Sequence, residues 1–111
     1  MSKVVKSNML ELDARAAGVA AILALMGNAH RLRILCKLAE DEASVGVLVS
    51  EVGLSQSALS QHLAKLRAGG LVTTRRDAQT IFYSLASDEV RAIIASLYDV
   101  FCAHRKRHAA P

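Results

Sequence analysis

The most reactive side chains are two cysteines, Cys36 and Cys102, set far apart in a chain of 111 residues. A thiolate is both a nucleophile and a soft metal ligand, so the pair admits either oxidation or metal binding. Free cysteine is also among the most buried residue types, so two inert core thiols suit the residues as well. His104 and His108, four apart, could share a metal, but Arg105, Lys106 and Arg107 surround them. Three cations are poor neighbours for another, so this segment reads as a solvated or phosphate-facing tail. No metal or other cofactor is expected. His30, at a helix start, reads as a surface or capping residue.

A second constellation is polar rather than reactive. Gln56, Ser57, Ser60, Gln61, His62 and Lys65 are interleaved with Leu59, Leu63 and Leu66, whose spacings of four and three fix one helix face to a core. No Asp or Glu occurs from Leu54 through Gly70. Amides and hydroxyls suit base edges in a major groove, because Gln pairs bidentately with adenine and Ser reaches several bases. A carboxylate there would be repelled by phosphate. An ordinary solvated helix face is the alternative, but such faces usually mix in Glu. Arg75, Arg76, Gln79 and Thr80 cluster a little further on, where they could meet the flanking backbone or minor groove. Alone, two arginines in a turn are an ordinary solvated loop.

The elements that must position these groups follow from periodicity and punctuation. Met9 to Gly27 is an alanine-rich helix pattern with Leu12, Ala16, Val19, Leu23 and Met26 at three- and four-residue steps. Gly27-Asn28 stops it. A second helix spans about Ala29 to Glu40, with Leu32, Leu35 and Leu38 or Ala39 inward, and Glu40-Asp41-Glu42 turns out of it. Ser44 can cap a short helix over Val45–Val52, ended by Gly53, and Ser55 or Ser57 a fourth helix running to about Ala68. Two helices joined by Gly53-Leu54-Ser55 carry the helix-turn-helix signature. After Gly69-Gly70, Leu71–Arg76 and Thr80–Leu85 are rich in β-branched and aromatic residues and flank Asp77-Ala78-Gln79, which predicts a hairpin. Ser87 caps a last helix through about His104, with Asp88 and Glu89 at its positive end.

The predicted fold is therefore mainly α with a small β-hairpin, a winged helix-turn-helix with an extra helix at each end. Its expected organisation is a flexible N-terminus over 1–8, one domain over 9–104 and a basic tail over 105–111. Hydrophobic residues make up 52% of the chain, yet it has only two Tyr, two Phe and no Trp, so the core must be Ala, Leu, Val and Ile. So small a domain gains from a partner subunit that covers apolar surface. The formal charge of +4 is compatible with nucleic acid without requiring it. No apolar run reaches the ~18 residues needed to cross a bilayer, and no signal peptide is evident at the N-terminus. A cytoplasmic protein without membrane association is expected, where two cysteines are better read as reactive or ligating than as a permanent disulfide. There is no Cys-x-x-Cys, strand-helix repeat or Gly-rich loop, so a dithiol redox protein, or any enzyme, is disfavoured. A winged helix that binds protein rather than DNA is the other rival.

The stretch Leu54-Ser55-Gln56-Ser57-Ala58-Leu59-Ser60-Gln61-His62-Leu63, with Leu66-Arg67, Gly70-Leu71-Val72 and Arg75-Arg76, resembles the recognition helix and wing of the ArsR family of bacterial repressors. The resemblance extends over about residues 18 to 103. It implies a homodimer held by the first and last helices, an inverted-repeat operator in double-stranded DNA, and release of that DNA when an effector binds. It also implies base or phosphate contacts from Ser57, Ser60, Gln61 and His62, with Gln56 and Lys65 beside them.

The family's metal-sensing branch places cysteines two apart in the third helix, where this chain has Ser44-Val45-Gly46-Val47-Leu48. In the last helix that branch uses Asp and His early, where this chain has Asp88 and then Val90. A metal-responsive repressor stays the alternative. Cys36 after Arg33-Ile34-Leu35, and Cys102 in Tyr98-Asp99-Val100-Phe101-Cys102, are instead similar to the sulfide- and persulfide-responsive branch. That likeness implies reactive sulfur species as effector, bridging of the two cysteines by a disulfide or polysulfide, and a fall in DNA affinity. Arg33 and Lys37 beside Cys36 favour its thiolate, with Glu40 opposing. Arg105 and Lys106 do the same for Cys102, against an unfavourable helix C-terminus. The order of reaction is left open.

Overall fold

A computed structural model of the chain describes residues 3–103, with side chains described from Asn8 onward. The elements in order are α1 (Lys3–Ala14), α2 (Ala16–Met26), α3 (Ala29–Glu40), β1 (Ala43–Ser44), α4 (Val45–Val52), α5 (Gln56–Ala68), β2 (Val72–Asp77), β3 (Thr80–Leu85) and α6 (Asp88–Tyr98). A π-helical turn, Asp99–Ala103, continues α6. This is the winged helix-turn-helix expected from the sequence.

Leucine spacing builds the core. Ile34, Leu35 and Leu38 of α3, Leu48 of α4, Leu59, Leu63 and Leu66 of α5, and Leu71 before the wing are all fully buried. Val90 and Ile94 seat α6 on the same cluster. Hydroxyl caps start α4 and α6 where they were read: Ser44 Oγ accepts from Val47 N–H and Ser87 Oγ from Val90 N–H. Asn28, read only as part of the stop of the preceding helix, also caps α3, its Oδ1 accepting from Arg31 N–H. For α5 the cap is Ser55, whose Oγ accepts from Ala58 N–H at 3.2 Å; Ser57 lies inside the helix. Gly53 ends α4 with φ 78°, a left-handed turn that glycine takes without Cβ strain, and it sets the angle between the two helices of the motif.

Several features depart from the sequence reading. The N-terminal pattern is two helices, because Arg15 donates to Leu12 O in a tight i→i−3 bond that closes α1 and lets α2 start at a new angle. The backbone is helical from Lys3. Met9, Leu10, Leu12 and Leu23 are exposed, and Met26 alone in α2 is fully inside the core. The hairpin gains a third strand, with sheet order β1-β3-β2 and β1 registered Ala43↔Tyr83 and Ser44↔Phe82. In the hairpin itself Asp77 pairs with Thr80, so the turn is only Ala78-Gln79, and Ala78 takes φ 56°, an uncommon conformation for a non-glycine residue. Finally, α-helical geometry stops at Tyr98 rather than His104, which lies outside the described residues. Among the described residues no single helix is long and apolar enough to cross a membrane.

Candidate nucleic-acid interface and thiol site

Burying Leu59, Leu63 and Leu66 turns the opposite side of α5 outward, and Gln56, Ser57, Ser60, Gln61 and Lys65 are all exposed there. The face presents amide, hydroxyl and ammonium groups with no carboxylate. His62 is placed differently. Its ring is half-buried and lies 5.7 Å from that of His30, at an interplanar angle of 40°. Neither Nδ1 has a hydrogen-bond partner among the described residues. Burial, then the charge of Arg31 and the proximity of His30 and Lys65, hold His62 below the usual histidine range. It is therefore a neutral imidazole near pH 7, able to donate at one nitrogen and accept at the other. His30 is not a cap, since Asn28 caps α3; it is a half-buried partner of the reading helix. Beside it Arg31 Nε donates to Leu25 O at 2.6 Å and ties α3 to the end of α2.

In the wing, Arg76, Gln79 and Thr80 are exposed at or beside the tip. Arg75 is held against the protein. Its Nε and Nη2 donate to the two carboxylate oxygens of Glu42 at 2.8 and 2.5 Å, and its guanidinium carbon lies 4.5 Å from the centre of the Phe82 ring. The paired hydrogen bonds pull Glu42 below the usual carboxylate range and raise Arg75 above its own. Here Arg75 sets the pose of the wing on the turn after α3, with its donor fork occupied by Glu42. The pair joins residues 33 apart and leaves no local signal in the sequence.

The two cysteines come together. Cys36 on α3 and Cys102 in the π-helical turn are both exposed, and both line one cavity of about 520 Å³ between α3 and α6. Leu32, Ala39, Ile94, Leu97, Tyr98 and Phe101 complete an almost wholly apolar wall, and Glu40 stands at it as the one carboxylate. Burial raises the Cys36 thiol above its ordinary value, and the Cys102 and Glu40 charges add to that, with Lys37 opposing. The expectation that neighbouring cations activate Cys36 is thus reversed, because partial desolvation outweighs Lys37. The cavity itself was invisible in the sequence. Among the described residues no group of three or more His, Cys, Asp or Glu is placed to hold a metal ion; His104 and His108 lie outside those residues.

A helix-turn-helix whose second helix exposes no acid, followed by a β-wing, defines a transcriptional regulator of the winged-helix class. Residues 28–74 match the family model described as the arsR family of bacterial regulatory proteins. The chain is 52% identical over 95 residues to the transcriptional activator HlyU of Vibrio cholerae, covering 86% of this chain and 88% of that protein. The crystal structure of the transcriptional repressor BigR from Xylella fastidiosa superposes with a TM-score of 0.80 at 38% identity, covering 85% of this chain and 96% of that one. A homodimeric winged helix-turn-helix DNA-binding domain from Mycobacterium bovis, 28% identical, matches with a TM-score of 0.75 over 100% of this chain and 96% of its own. The chain belongs to the ArsR family of bacterial transcriptional regulators.

Proposed function

We propose that the protein is a homodimeric repressor that binds an inverted-repeat operator and releases it when Cys36 and Cys102 are bridged by a disulfide or polysulfide. The observation that carries this reading is that two cysteines from distant parts of the chain line the same cavity between α3 and α6. α3 packs on α4 and α5 of the reading motif, while Cys102 sits beyond α6 in the turn that bears exposed Val100 and Phe101. A covalent tie across the cavity therefore couples the DNA-reading core to an apolar surface. Met9, Leu10, Leu12 and Leu23 of α1 and α2, with Val100 after α6, offer the exposed apolar area that a second copy would cover. The solved homodimeric relative supports dimerisation itself.

On DNA, the reading assigns major-groove contacts to Gln56, Ser57, Ser60 and Gln61, with Lys65 on phosphate and His62 reaching the duplex from its half-buried position. The wing contributes Arg76, Gln79 and Thr80, with Arg75 offering phosphate the guanidinium donors that Glu42 leaves unused. A change in half-site spacing away from the ~34 Å repeat of successive major grooves is enough to release a dimer. A 10- to 100-fold loss of affinity requires a coupling of about 1.4 to 2.8 kcal/mol.

Two experiments test this. Mass spectrometry after polysulfide or peroxide treatment is expected to find one bridged pair of peptides containing Cys36 and Cys102, with extra sulfur retained only after polysulfide. Absence of a bridge with either oxidant refutes the switch. Combined Gln61→Ala and His62→Ala substitution is expected to abolish operator binding, and unchanged affinity refutes the assignment of the reading face.

A further inference from the structure

We propose that the cavity between α3 and α6 is a binding site for neutral thiol oxidants carried on an apolar organic body, which it delivers to Cys36 and Cys102. The inference rests on the thiol-switch reading and adds the chemical class of the effector. A cavity of about 520 Å³ lies within the range of small-molecule pockets, roughly 300 to 1,000 Å³, and is far larger than a peroxide or sulfide ion requires. Its wall is the aliphatic and aromatic surface of Leu32, Ile94, Leu97, Tyr98 and Phe101. Small polar oxidants gain nothing from such a wall, and anionic ones must leave water and approach Glu40. An apolar body gains by burial, about 0.8 kcal/mol for each methylene group removed from water.

The chemistry balances for both kinds of electrophile such a body could carry. With an organic hydroperoxide ROOH, one cysteine thiolate attacks the terminal oxygen. An S–O bond forms, the O–O bond breaks, and ROH leaves after taking a proton. The second thiol then attacks the sulfenic sulfur, forming the S–S bond, and water leaves. The two thiols lose two electrons and ROOH becomes ROH plus H2O. With a trisulfide RSSSR, the first thiolate forms a mixed disulfide and expels RSSH; the second cysteine displaces RSH. Again two electrons pass from the thiols to the cleaved S–S bond.

The test compares matched oxidants on the full-length reduced protein, each rate of bridge formation being divided by the rate of the same reagent with N-acetylcysteine. Cumene hydroperoxide is expected to exceed hydrogen peroxide by at least about tenfold on this scale, which is roughly the contribution of two buried methylene groups. Neutral diallyl trisulfide is expected to exceed the anionic glutathione trisulfide similarly. Cumyl alcohol, which cannot oxidise a thiol, is expected to slow the cumene hydroperoxide reaction in a saturable way. Ala39→Leu, which fills the cavity while leaving the backbone carbonyl that accepts from Arg91, is expected to lower both preferences. Bridge formation at ratios near one, unaffected by cumyl alcohol, overturns the binding site but leaves the switch intact. No bridge with any reagent overturns both.

Discussion

Ser55 allows stability and DNA affinity to be driven in opposite directions at one position. Its backbone is extended (φ −63°, ψ 156°), its carbonyl accepts the first helical bond from Leu59 N–H, and its Oγ accepts from Ala58 N–H. Ser55→Ala removes that acceptor from the start of the reading helix. The cost is about 1 kcal/mol, or roughly 4 °C in Tm for a domain of this size. Ser55→Asp keeps an acceptor in place and adds a negative charge at the positive end of the helix, worth about 0.3 to 1 kcal/mol. Its Tm is therefore expected to equal or exceed that of the unsubstituted protein. The same carboxylate is the first acid between Leu54 and Gly70, at the mouth of the face assigned to DNA. Two like charges 4 Å apart repel by about 1 kcal/mol in bulk water and about 4 kcal/mol at an effective dielectric of 20, so a loss of operator affinity of at least about tenfold is expected. Calorimetry gives the first quantity, and fluorescence anisotropy of an operator duplex at fixed salt gives the second. The cap assignment fails if Ser55→Asp melts as low as Ser55→Ala. The docking assignment fails if Ser55→Asp binds DNA as tightly as the unsubstituted chain.

Other outcomes follow from the same geometry. Leu59 is fully buried, so Leu59→Ala is expected to destabilise by about 3 to 5 kcal/mol, measured by urea unfolding. His62 lies below its ordinary value of 6.5, so below that pH the unfolded chain takes up its proton before the folded one. Its contribution to stability is complete above about pH 6.5 and is lost as pH falls through the folded pKa; His62→Asn is expected to flatten this slope, and an unchanged slope places it elsewhere. Arg75→Ala is expected to speed hydrogen exchange in β2 and β3 while leaving α5 protected, because the Glu42 and Phe82 contacts hold the wing alone. Equal loss of protection in α5 refutes that separation.

Much of the fold was legible because its rules are local. Capping serines, Gly53, the leucine spacing of α5 and the β-branched run after Gly70 each act within a turn or two. The N-terminal half was harder. α2 reads AAGVAAILALM, apolar on nearly every side, so periodicity could neither orient it nor reveal the break at Arg15. The polar face of the candidate site was legible from spacing, but its fixed geometry was not. His30 meets His62, and Glu42 meets Arg75, across more than thirty residues each, and only tertiary packing creates either pair. The same packing buries part of Cys36 and reverses the effect its neighbours in sequence suggest.

The most direct test of the thiol switch is operator affinity measured on one preparation, reduced and then bridged between Cys36 and Cys102, with the Cys36→Ser protein as control. Bridging is expected to weaken binding 10- to 100-fold, equivalent to about 1.4 to 2.8 kcal/mol, with full recovery on reduction. The control is expected to bind DNA and ignore the oxidant. A bridged protein that holds its operator as tightly as the reduced one contradicts the switch.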